Sequence, residues 1–340
     1  MICQSIKREQ WLDKLQSKLL DVPYVHLVTT MPHRLNKLAK RYPKEIYNLI
    51  FQSTKKTIWH IFEEERHVGA TPGMISVLHT WGSDMKYHVH VHSLLSYGGI
   101  NKNGDWVHPQ HKKRICRNSK LRFTYKKIFL KGLKKLLTEP QIEWPESYED
   151  LLLDLESKQW NVKIDHPSMR SEVIEEYLAR YVNRIAITNN RLELAKETEE
   201  VNLLYNDYKN QKEGEVAPKL TKTMHPLVFI DQLMQHLPPP NFQRVRRYGF
   251  HANKVSQAFK QLISTKLRSN GQSIRRVFEI LTQMLKRQPF ICEQCGSEAI
   301  EIKILDPDKQ WIFQYITLPK IRAPTNNIPT LKAYYKHCHR

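Results

Sequence analysis

The sequence predicts an α+β fold, in which strand and helix patterns are interspersed along a chain of 340 residues. Three short segments rich in β-branched and aromatic residues, 24–30, 74–81 and 87–97, are typical of strands. Two longer segments, 4–21 and 44–66, have the apolar spacing of helices. The presence of both patterns in one chain favours the α+β class over an all-helical or an all-strand protein.

Turn residues separate these strands from each other and from the later elements. Gly82-Ser83-Asp84 has turn chemistry between the second and third strands. Gly98, Gly99 and Asn103-Gly104 predict a hairpin before Trp106. The elements predicted beyond it, in chain order, are an acidic helix at 143–156, a strand at 160–164, a helix from about 167 through 181, a strand at 202–209, a helical pattern from 226 broken at 238–240, a basic stretch at 241–270, and short strand-like runs in the last 50 residues.

The charge of the chain points to a polyanionic partner. Its 54 Lys and Arg residues outnumber its 34 Asp and Glu residues, which gives a formal charge of +20. Such a charge indicates nucleic acid or an acidic membrane surface, and it is also typical of ribosomal and RNA-binding proteins. The sequence shows no apolar run of the roughly 20 residues that span a bilayer, and the first residues lack the apolar segment of a signal peptide. Five cysteines, an odd number, argue against a disulfide framework, so we expect a cytoplasmic protein without a membrane partner.

Two basic stretches are candidates for contacting DNA. Residues 109–136 hold eleven Lys and Arg and no acidic residue, and Phe123, Tyr125 and Phe129 are interleaved with the cations. Cations that follow phosphates and rings that stack on bases suit single-stranded DNA. The alternative is a solvated helix face with core aromatics. The candidate DNA-binding side chains are Lys112, Lys113, Arg114, Arg117, Lys120, Arg122, Arg180, Arg184, Arg244, Arg246 and Arg247.

Histidines alternate along the third predicted strand. His88, His90 and His92 are two residues apart, so their side chains share one face of a strand. Neutral imidazoles are good ligands for divalent metals. The apolar residues between and after them suit a buried central strand, and His79 on the preceding strand comes within plausible reach. The alternative is a run of surface histidines.

A pair of tyrosines follows the histidines. Tyr177 and Tyr181 lie four residues apart, which places both hydroxyl groups on one face of a helix. Arg180 and Arg184 lie beside them, and a phenol near cations can become a phenolate nucleophile. The alternative is a half-buried aromatic stripe with no chemistry.

These residues together resemble the HUH endonuclease superfamily, in which U is a bulky apolar residue, through His90-Val91-His92. The chain is more closely similar to the two-tyrosine transposases of rolling-circle insertion sequences, the IS ninety-one family. Four blocks carry this resemblance in order along nearly the whole chain: PYVHLVTTMPHRL at 23–35, VLHTWGSDMKYHVHVHSLLSYGGI at 77–100, YLARYVNRIAITNNRL at 177–192 and QHLPPPNFQRVRRYGFHANK at 235–254.

The resemblance implies a fold, a mechanism and a partner. The fold is an HUH-endonuclease-like antiparallel sheet of five strands with flanking helices, followed by a helical basic C-terminal region. His90 and His92 hold a divalent metal, Mg²⁺ or Mn²⁺, and one tyrosine forms a 5′-phosphotyrosine bond while freeing a 3′-OH. The partner is single-stranded DNA at the ends of an insertion sequence and at its target. For the third metal ligand we favour His79, with Asp84 and His88 as rivals.

Four regions are expected along the chain. They are 1–22, a remnant of an N-terminal zinc-binding segment with its linker helix; 23–215, the nickase and transposase domain; 216–285, the helical basic region; and 286–340, a small CxxC-containing tail. In the tail, Cys292 and Cys295 form half of a possible zinc site that Cys338 could complete. Cys3 resembles the last ligand of the family's zinc segment, so we expect either a truncated copy or an internal start codon. The chain as given is expected to nick DNA and to transpose poorly or not at all. Cys116 is expected to be a small apolar residue.

Three other functions compete with the transposase. A plasmid or phage rolling-circle replication initiator, or a relaxase, would use the same chemistry in another role, and the basic C-terminal motif favours the transposase over it. A non-enzymatic single-stranded nucleic-acid-binding protein would form no covalent adduct with DNA. A metal-dependent hydrolase ranks last, because only Asp84 offers a carboxylate near the histidines. The sequence carries no signal for an oligomeric state.

Overall fold

The structure is a computed structural model. It divides the chain into two compact units, 1–274 and 275–340. The residues it describes are 9–10, 13, 19–143, 147–165, 187, 189–195, 198–208, 210–212, 215–252, 255, 279–280, 283, 300–305 and 311–317.

The first unit contains ten of the described strands and five described α-helices. In chain order they are β1 (Tyr24–Thr30), α1 (Asn36–Arg41), α2 (Pro43–Glu63), β2 (Gly73–Trp81), β3 (Tyr87–Ser96), β4 (Gly99–Ile100), β5 (Trp106–Val107), α3 (Asn118–Leu137), α4 (Tyr148–Ser157), β6 (Val162–Ile164), β7 (Leu192–Ala195), β8 (Glu200–Asn206), β9 (Lys219–Met224), α5 (Pro226–Met234) and β10 (Val245–Gly249). Short 3₁₀ helices precede α1 and β7, at His33–Leu35 and Asn189–Arg191. The second unit contributes a hairpin of β11 (Ile300–Leu305) and β12 (Trp311–Thr317).

A five-stranded sheet in the order β10-β2-β3-β1-β6 forms the centre of the first unit, and each neighbouring pair is antiparallel. The predicted α+β class and antiparallel sheet are confirmed. The strand that carries the histidines, β3, is the middle strand, as expected. Strands β2 and β3 are almost wholly buried, because both faces of the central strands are covered.

The edge strand β10 departs from the prediction. Residues 245–249 lie in the region expected to be helical, yet Val245 pairs with Val77 and Tyr248 pairs with Met74 of β2. Two consecutive charged residues, Arg246 and Arg247, interrupt the alternation of apolar and polar residues that would predict a strand. In the sequence they indicate only a basic cluster. Their neighbours in space, rather than their own pattern, decide that the segment is extended.

Helices α2 and α3 cover one face of the sheet and form the main core with it. Pro43 occupies the first turn of α2, where its missing N–H costs nothing. The buried face of α2 packs against Val89 and Val91 of β3 and Leu27 of β1. Between helix and sheet, the hydroxyl groups of Thr29 and Thr54 are 2.7 Å apart and satisfy each other in the core.

The basic helix α3 divides its aromatic residues between core and solvent. Tyr125 and Phe129 are fully buried and pack edge-on against Trp160. Phe123 is 68% exposed. Of the two interpretations of this stretch, that of core aromatics therefore holds for Tyr125 and Phe129, because a ring enclosed by the core has no face to offer a base.

The opposite face of the sheet carries the histidines between two smaller apolar clusters. One cluster gathers Tyr24, Ile75 and Leu94 near one end of the strands. The other joins Trp81 and Met85 to the three-stranded sheet β7-β8-β9 and to α5. The histidine face therefore lies in a cleft whose far wall is the smaller sheet.

Other elements follow the predicted order with shifted ends. The acidic helix is α4 and begins at Tyr148, where the Ser147 hydroxyl accepts a hydrogen bond from the Asp150 amide. The predicted strands at 160–164 and 202–209 are observed as β6 and β8. The predicted helix that carries the two tyrosines lies outside the described residues. Of the helices in the described part of the chain, none combines the length and the apolar character needed to cross a membrane.

Candidate metal centre

Three buried histidines meet on the sheet face that lines the cleft. His79 on β2 is paired directly with His90 on β3, and His92 lies two residues further along β3 on the same face. One ring nitrogen from each of the three residues lies within 4.8 Å of the chosen nitrogens of the other two. Within the described part of the chain, this is the one group of histidine, cysteine and acidic side chains close enough to share an ion. The three residues could therefore hold a divalent metal, as the sequence predicts.

The rival third ligands are placed outside this group. Asp84 lies in the turn between β2 and β3, where its carboxylate pairs with the Lys86 ammonium at 2.8 Å. His88 lines the cleft, but its ring stacks between those of His33 and His90, each with a centroid separation of 5.0 Å. The bulge between His79 and Trp81 shifts the register of β2 and β3 beside the turn.

A chain of hydrogen bonds supports His92 from behind the cleft. The Nδ1 atom of His92 is 2.9 Å from Nε2 of His26 on β1. The other ring nitrogen of His26, Nδ1, is 2.9 Å from Oδ2 of Asp165, immediately after β6. The His26 and His92 rings are nearly parallel, with centroids 5.2 Å apart. Three neighbouring strands thus contribute one residue each to a continuous polar chain.

His90 has a simpler anchor. Its Nδ1–H donates to the backbone carbonyl of His88 at 2.8 Å, because a carbonyl oxygen can only accept. A neutral His90 ring therefore carries its lone pair on Nε2. A metal ligand whose second nitrogen is held by a carbonyl or a carboxylate is the usual arrangement at protein metal sites.

Burial keeps His90 and His92 neutral. It lowers the pKa of His90 to about 3, with a further contribution from His88. Burial, and then His90 and His79, hold the pKa of His92 well below its ordinary value. Neutral imidazole is the form that binds a metal, so these two residues are available as ligands at neutral pH without first losing protons.

The cleft in front of the histidines has a volume of about 610 Å³. Its walls combine the histidine face with cationic and amide side chains of the smaller sheet, including Arg191, Asn206 and Lys219. Arg191 donates to the carbonyls of Leu204 and Ser83 and so ties this wall to the turn after β2. The combination of imidazoles and cations suits an anionic ligand such as a phosphodiester.

Trp81 and His236 pack around the turn that joins β2 and β3. The Trp81 ring stacks on His79 at a centroid separation of 4.5 Å, and the guanidinium of Arg244 lies 5.4 Å from the centre of the Trp81 ring. His236 is buried, and its Nε2–H donates to the carbonyl of Met85 at 3.0 Å. These contacts fix the turn that joins the two ligand strands.

Sequence reasoning missed His26, Asp165 and His236. A single histidine in the apolar strand YVHLVTT carries a weak signal, because its partner depends on which strand lies next to it. Asp165 is 139 residues away from His26, and no local pattern links them. His236 lies in the QHLPPP segment, whose local pattern indicates a helix end and no buried polar partner.

The predicted DNA-binding side chains have different environments. Lys112, Lys113, Arg114 and Arg117 are exposed and line a second cleft of about 760 Å³, which Asp165 also borders. Lys120, in contrast, has its ammonium 2.7 Å from both carboxylate oxygens of Glu64. Its charge is therefore already matched within the fold.

The second basic cluster is similarly divided. Arg246 packs over the Phe51 ring at 4.2 Å and donates to Asn48 of α2, on the sheet face opposite the histidines. Arg122 reaches the carbonyl of Val162 at 3.5 Å. Burial lowers the pKa of Arg244 and Arg247. Cys116 is buried, as expected, whereas Tyr177, Tyr181, Arg180, Arg184, Cys292 and Cys295 lie outside the described residues.

The chain is similar to known transposases. Residues 73–258 match the family model Y2_Tnp, described as "Putative transposase". The chain is 30% identical to "Putative transposase y4qJ" of Sinorhizobium fredii over 334 residues, which cover 91% of this chain and 81% of that protein. It is 23% identical over 304 residues to the "Transposase for insertion sequence element IS801" of Pseudomonas savastanoi pv. phaseolicola, covering 88% of this chain and 72% of that one. No solved structure is significantly similar. The family match spans more than half of the chain and includes the whole histidine block, and the chain therefore belongs to the transposase family Y2_Tnp.

Proposed function

We propose that this transposase cuts and joins single-stranded DNA by a rolling-circle mechanism, with a tyrosine nucleophile and a divalent metal. The observation that carries the proposal is the cluster of His79, His90 and His92 at the base of a cationic cleft. Two tyrosines four residues apart, Tyr177 and Tyr181, supply the nucleophile that such a cleft needs.

The donor set of the cluster fits a divalent transition metal. Three imidazoles would hold the ion, with His90 supplying Nε2, the nitrogen left with the lone pair by its hydrogen bond to the His88 carbonyl. Imidazole nitrogen suits transition metals such as Zn²⁺ and Fe²⁺ better than Mg²⁺, which prefers oxygen ligands. Among the transition metals Mn²⁺ binds nitrogen sites least tightly, but it still accepts imidazole more readily than Mg²⁺, which keeps its waters and oxygen ligands. We therefore propose Mn²⁺ rather than Mg²⁺ as the more effective ion. When bound, the metal would polarise the scissile phosphate as a Lewis acid.

The covalent step conserves the energy of the phosphodiester bond in a phosphotyrosine linkage. The phenolic oxygen of Tyr177 or Tyr181 forms a bond to phosphorus, and the bond from phosphorus to the 3′ oxygen breaks. The leaving oxygen takes up a proton and becomes a 3′-OH, while the phosphate stays on the tyrosine at the 5′ end. The reverse attack by a 3′-OH rejoins DNA and releases the tyrosine, so strand transfer needs no nucleotide cofactor.

The exposed cations of the second cleft would guide the strand. Lys112, Lys113, Arg114 and Arg117 are available to phosphates, whereas Lys120 and Arg246 are held by Glu64 and by α2. Phe123 is exposed among the basic residues of α3, where its ring could stack on a base. The proposed DNA contacts are therefore limited to the part of the basic stretch that faces solvent.

The decisive experiment is a covalent-adduct assay. Single-stranded oligonucleotides with the terminal sequences of the element, labelled at either end, are incubated with the protein and Mn²⁺, with the duplex forms and EDTA as controls. An adduct that survives denaturation and forms only on single strands with metal supports the proposal. Tight DNA binding with no adduct under any metal would instead support a non-enzymatic nucleic-acid-binding protein.

A replication initiator or a relaxase would pass the same adduct assay. The family match and the two transposase relatives favour transposition over both. A mobilisation assay with a marked element separates these roles, because only a transposase moves the element to a new site.

A further inference from the structure

The strongest feature that the proposed chemistry does not use is the polar chain behind His92. It consists of His92 on β3, His26 on β1 and Asp165 after β6, joined by two hydrogen bonds of 2.9 Å. His26 and His92 are buried, with 7% and 6% of their surfaces exposed. A buried hydrogen-bonded pair of histidines in the middle of a sheet is costly unless each ring nitrogen has a defined role.

The direction of each hydrogen bond follows from the carboxylate. Asp165 can only accept, so the Nδ1 of His26 carries a proton and donates it. A neutral His26 then has its lone pair on Nε2, which must accept from the Nδ1–H of His92. His92 is thereby fixed as the Nδ1–H form, and its lone pair is on Nε2.

We infer that His26 and Asp165 are positioning residues that fix the ring orientation and proton arrangement of His92, so that Nε2 faces the metal. This inference rests on the proposed metal centre. Neither residue needs to contact the ion or the DNA. Each acts through its neighbour across the sheet, where Val28 of β1 pairs with His92 and Leu27 pairs with Ile164 of β6.

The two carboxylate oxygens of Asp165 contact different residues, and this difference provides a matched control variant. Oδ2 is bonded to His26, whereas Oδ1 is 3.2 Å from the ammonium of the exposed Lys163. Losing the first contact releases His26, and losing the second removes only a surface ion pair. Lys163→Ala is therefore the matched control for Asp165→Ala.

The first test needs no metal. In protein labelled with ¹⁵N-histidine, two-bond ¹H–¹⁵N correlation spectra report which nitrogen of each ring is protonated, and the His92 signal is identified by its absence in His92→Gln. The expected result is the Nδ1–H form of His92 in the wild type and in Lys163→Ala, with a mixture of forms in Asp165→Ala. A wild-type His92 protonated on Nε2 overturns the inference.

The second test measures Mn²⁺ affinity by titration calorimetry. Residues that support a metal ligand typically contribute about 10–100-fold in affinity, so His26→Ala should lose about that much and Asp165→Ala less. His26→Gln should recover most of the loss, because its amide oxygen can accept from the Nδ1–H of His92. Affinity within twofold of wild type in both His26→Ala and Asp165→Ala overturns the inference.

Two further comparisons distinguish a failure of this inference from a folding defect and from a failure of the proposed function. If His26→Ala melts below the assay temperature, Asp165→Ala and His26→Gln carry the test, since Asp165 is part-exposed and glutamine retains an acceptor. A protein that binds Mn²⁺ with the expected pattern but forms no DNA adduct contradicts the proposed nickase and leaves the positioning roles intact.

Discussion

His79 and His90 face each other directly across the antiparallel pair of β2 and β3, with ring centroids 5.4 Å apart and planes at 81°. Two imidazole rings from different strands therefore face the same region of the cleft. His92 completes the group, with its ring centroid 4.7 Å from that of His90 and 4.8 Å from that of His79. This placement leads to the first prediction.

His79, rather than His88 or Asp84, is expected to be the third ligand. His79→Ala and His90→Ala should each abolish Mn²⁺ binding and nicking, because each removes a ligand from a cluster of three. Binding of single-stranded DNA should stay within about twofold, since the phosphate-binding cations remain. Calorimetry and oligonucleotide cleavage provide the measurements. The matched controls His88→Ala and Asp84→Ala should keep both activities; a loss of Mn²⁺ binding in either of them, but not in His79→Ala, would contradict the ligand set.

One of the two tyrosines is expected to form the covalent bond to DNA. Tyr177→Phe or Tyr181→Phe should alter covalent attachment, and the double variant should form no adduct, because only the hydroxyl groups are removed. Mass spectrometry of the digested adduct locates the nucleotide. Tyr205→Phe is the control, since Tyr205 lies on β8 in the described fold. A nucleotide found on Tyr125, Tyr205 or a serine would contradict the mechanism.

The exposed basic residues of the second cleft are expected to set the salt dependence of DNA binding. Each phosphate contact of a single strand contributes a slope of about −0.7 to log K against log salt, so Arg114→Ala with Arg117→Ala should lower the steepness by about 1.4. Fluorescence anisotropy at several salt concentrations measures the slope. Lys37→Ala with Lys44→Ala removes the same charge from exposed positions elsewhere and should change the slope little. Equal effects of both pairs would show that net charge, and not this cleft, binds the strand.

The aromatic residues of α3 are expected to separate stability from DNA binding. Phe129→Ala removes a fully buried ring and should lower the free energy of unfolding by about 3–5 kcal/mol. Phe123→Ala, at an exposed position, should change stability by at most about 0.5 kcal/mol. If Phe123 stacks on a base, its loss should weaken single-strand binding by about 1–3 kcal/mol. Urea unfolding and anisotropy measure the two effects, and unchanged DNA affinity in Phe123→Ala would exclude the stacking.

The stability of the fold is expected to fall as the pH drops below about 6.5. Burial lowers the pKa of His236, and nearby Lys40 lowers it further, while its hydrogen bonds to Met85 and Thr80 oppose the shift. Below its ordinary value of 6.5, the unfolded chain therefore takes up a proton that the folded chain resists. One such proton contributes a slope of at most about 1.4 kcal/mol per pH unit.

Other buried histidines add to the same trend, so the variant His236→Gln isolates this contribution. Glutamine cannot titrate but can still donate to the carbonyl of Met85. Wild type should exceed the variant in stability at pH 7.5, and the difference should shrink at pH 5.0 when both are unfolded in urea. A difference that is constant or grows on acidification would contradict the prediction.

The sequence alone predicted the strands that hold the candidate metal ligands. The segment 24–30 coincides with β1, and the alternation of His88, His90 and His92 correctly places their side chains on one face of β3. The choice of His79 also followed from local patterns, because two strands joined by a short turn usually pair with each other. These features depend on backbone periods of a few residues, which a sequence records directly.

Only the tertiary structure decided which side chains meet and which are hidden. His26 and Asp165 became neighbours because β1 lies between β3 and β6, an order that no local pattern encodes. Lys120, Arg246 and Lys112 carry the same charge but have different neighbours. Lys120 is paired with Glu64 and Arg246 packs on Phe51, whereas Lys112 faces solvent. A sequence states the charge and shape of each side chain, but the free energy of burying or exposing it depends on partners brought together by the packed sheet.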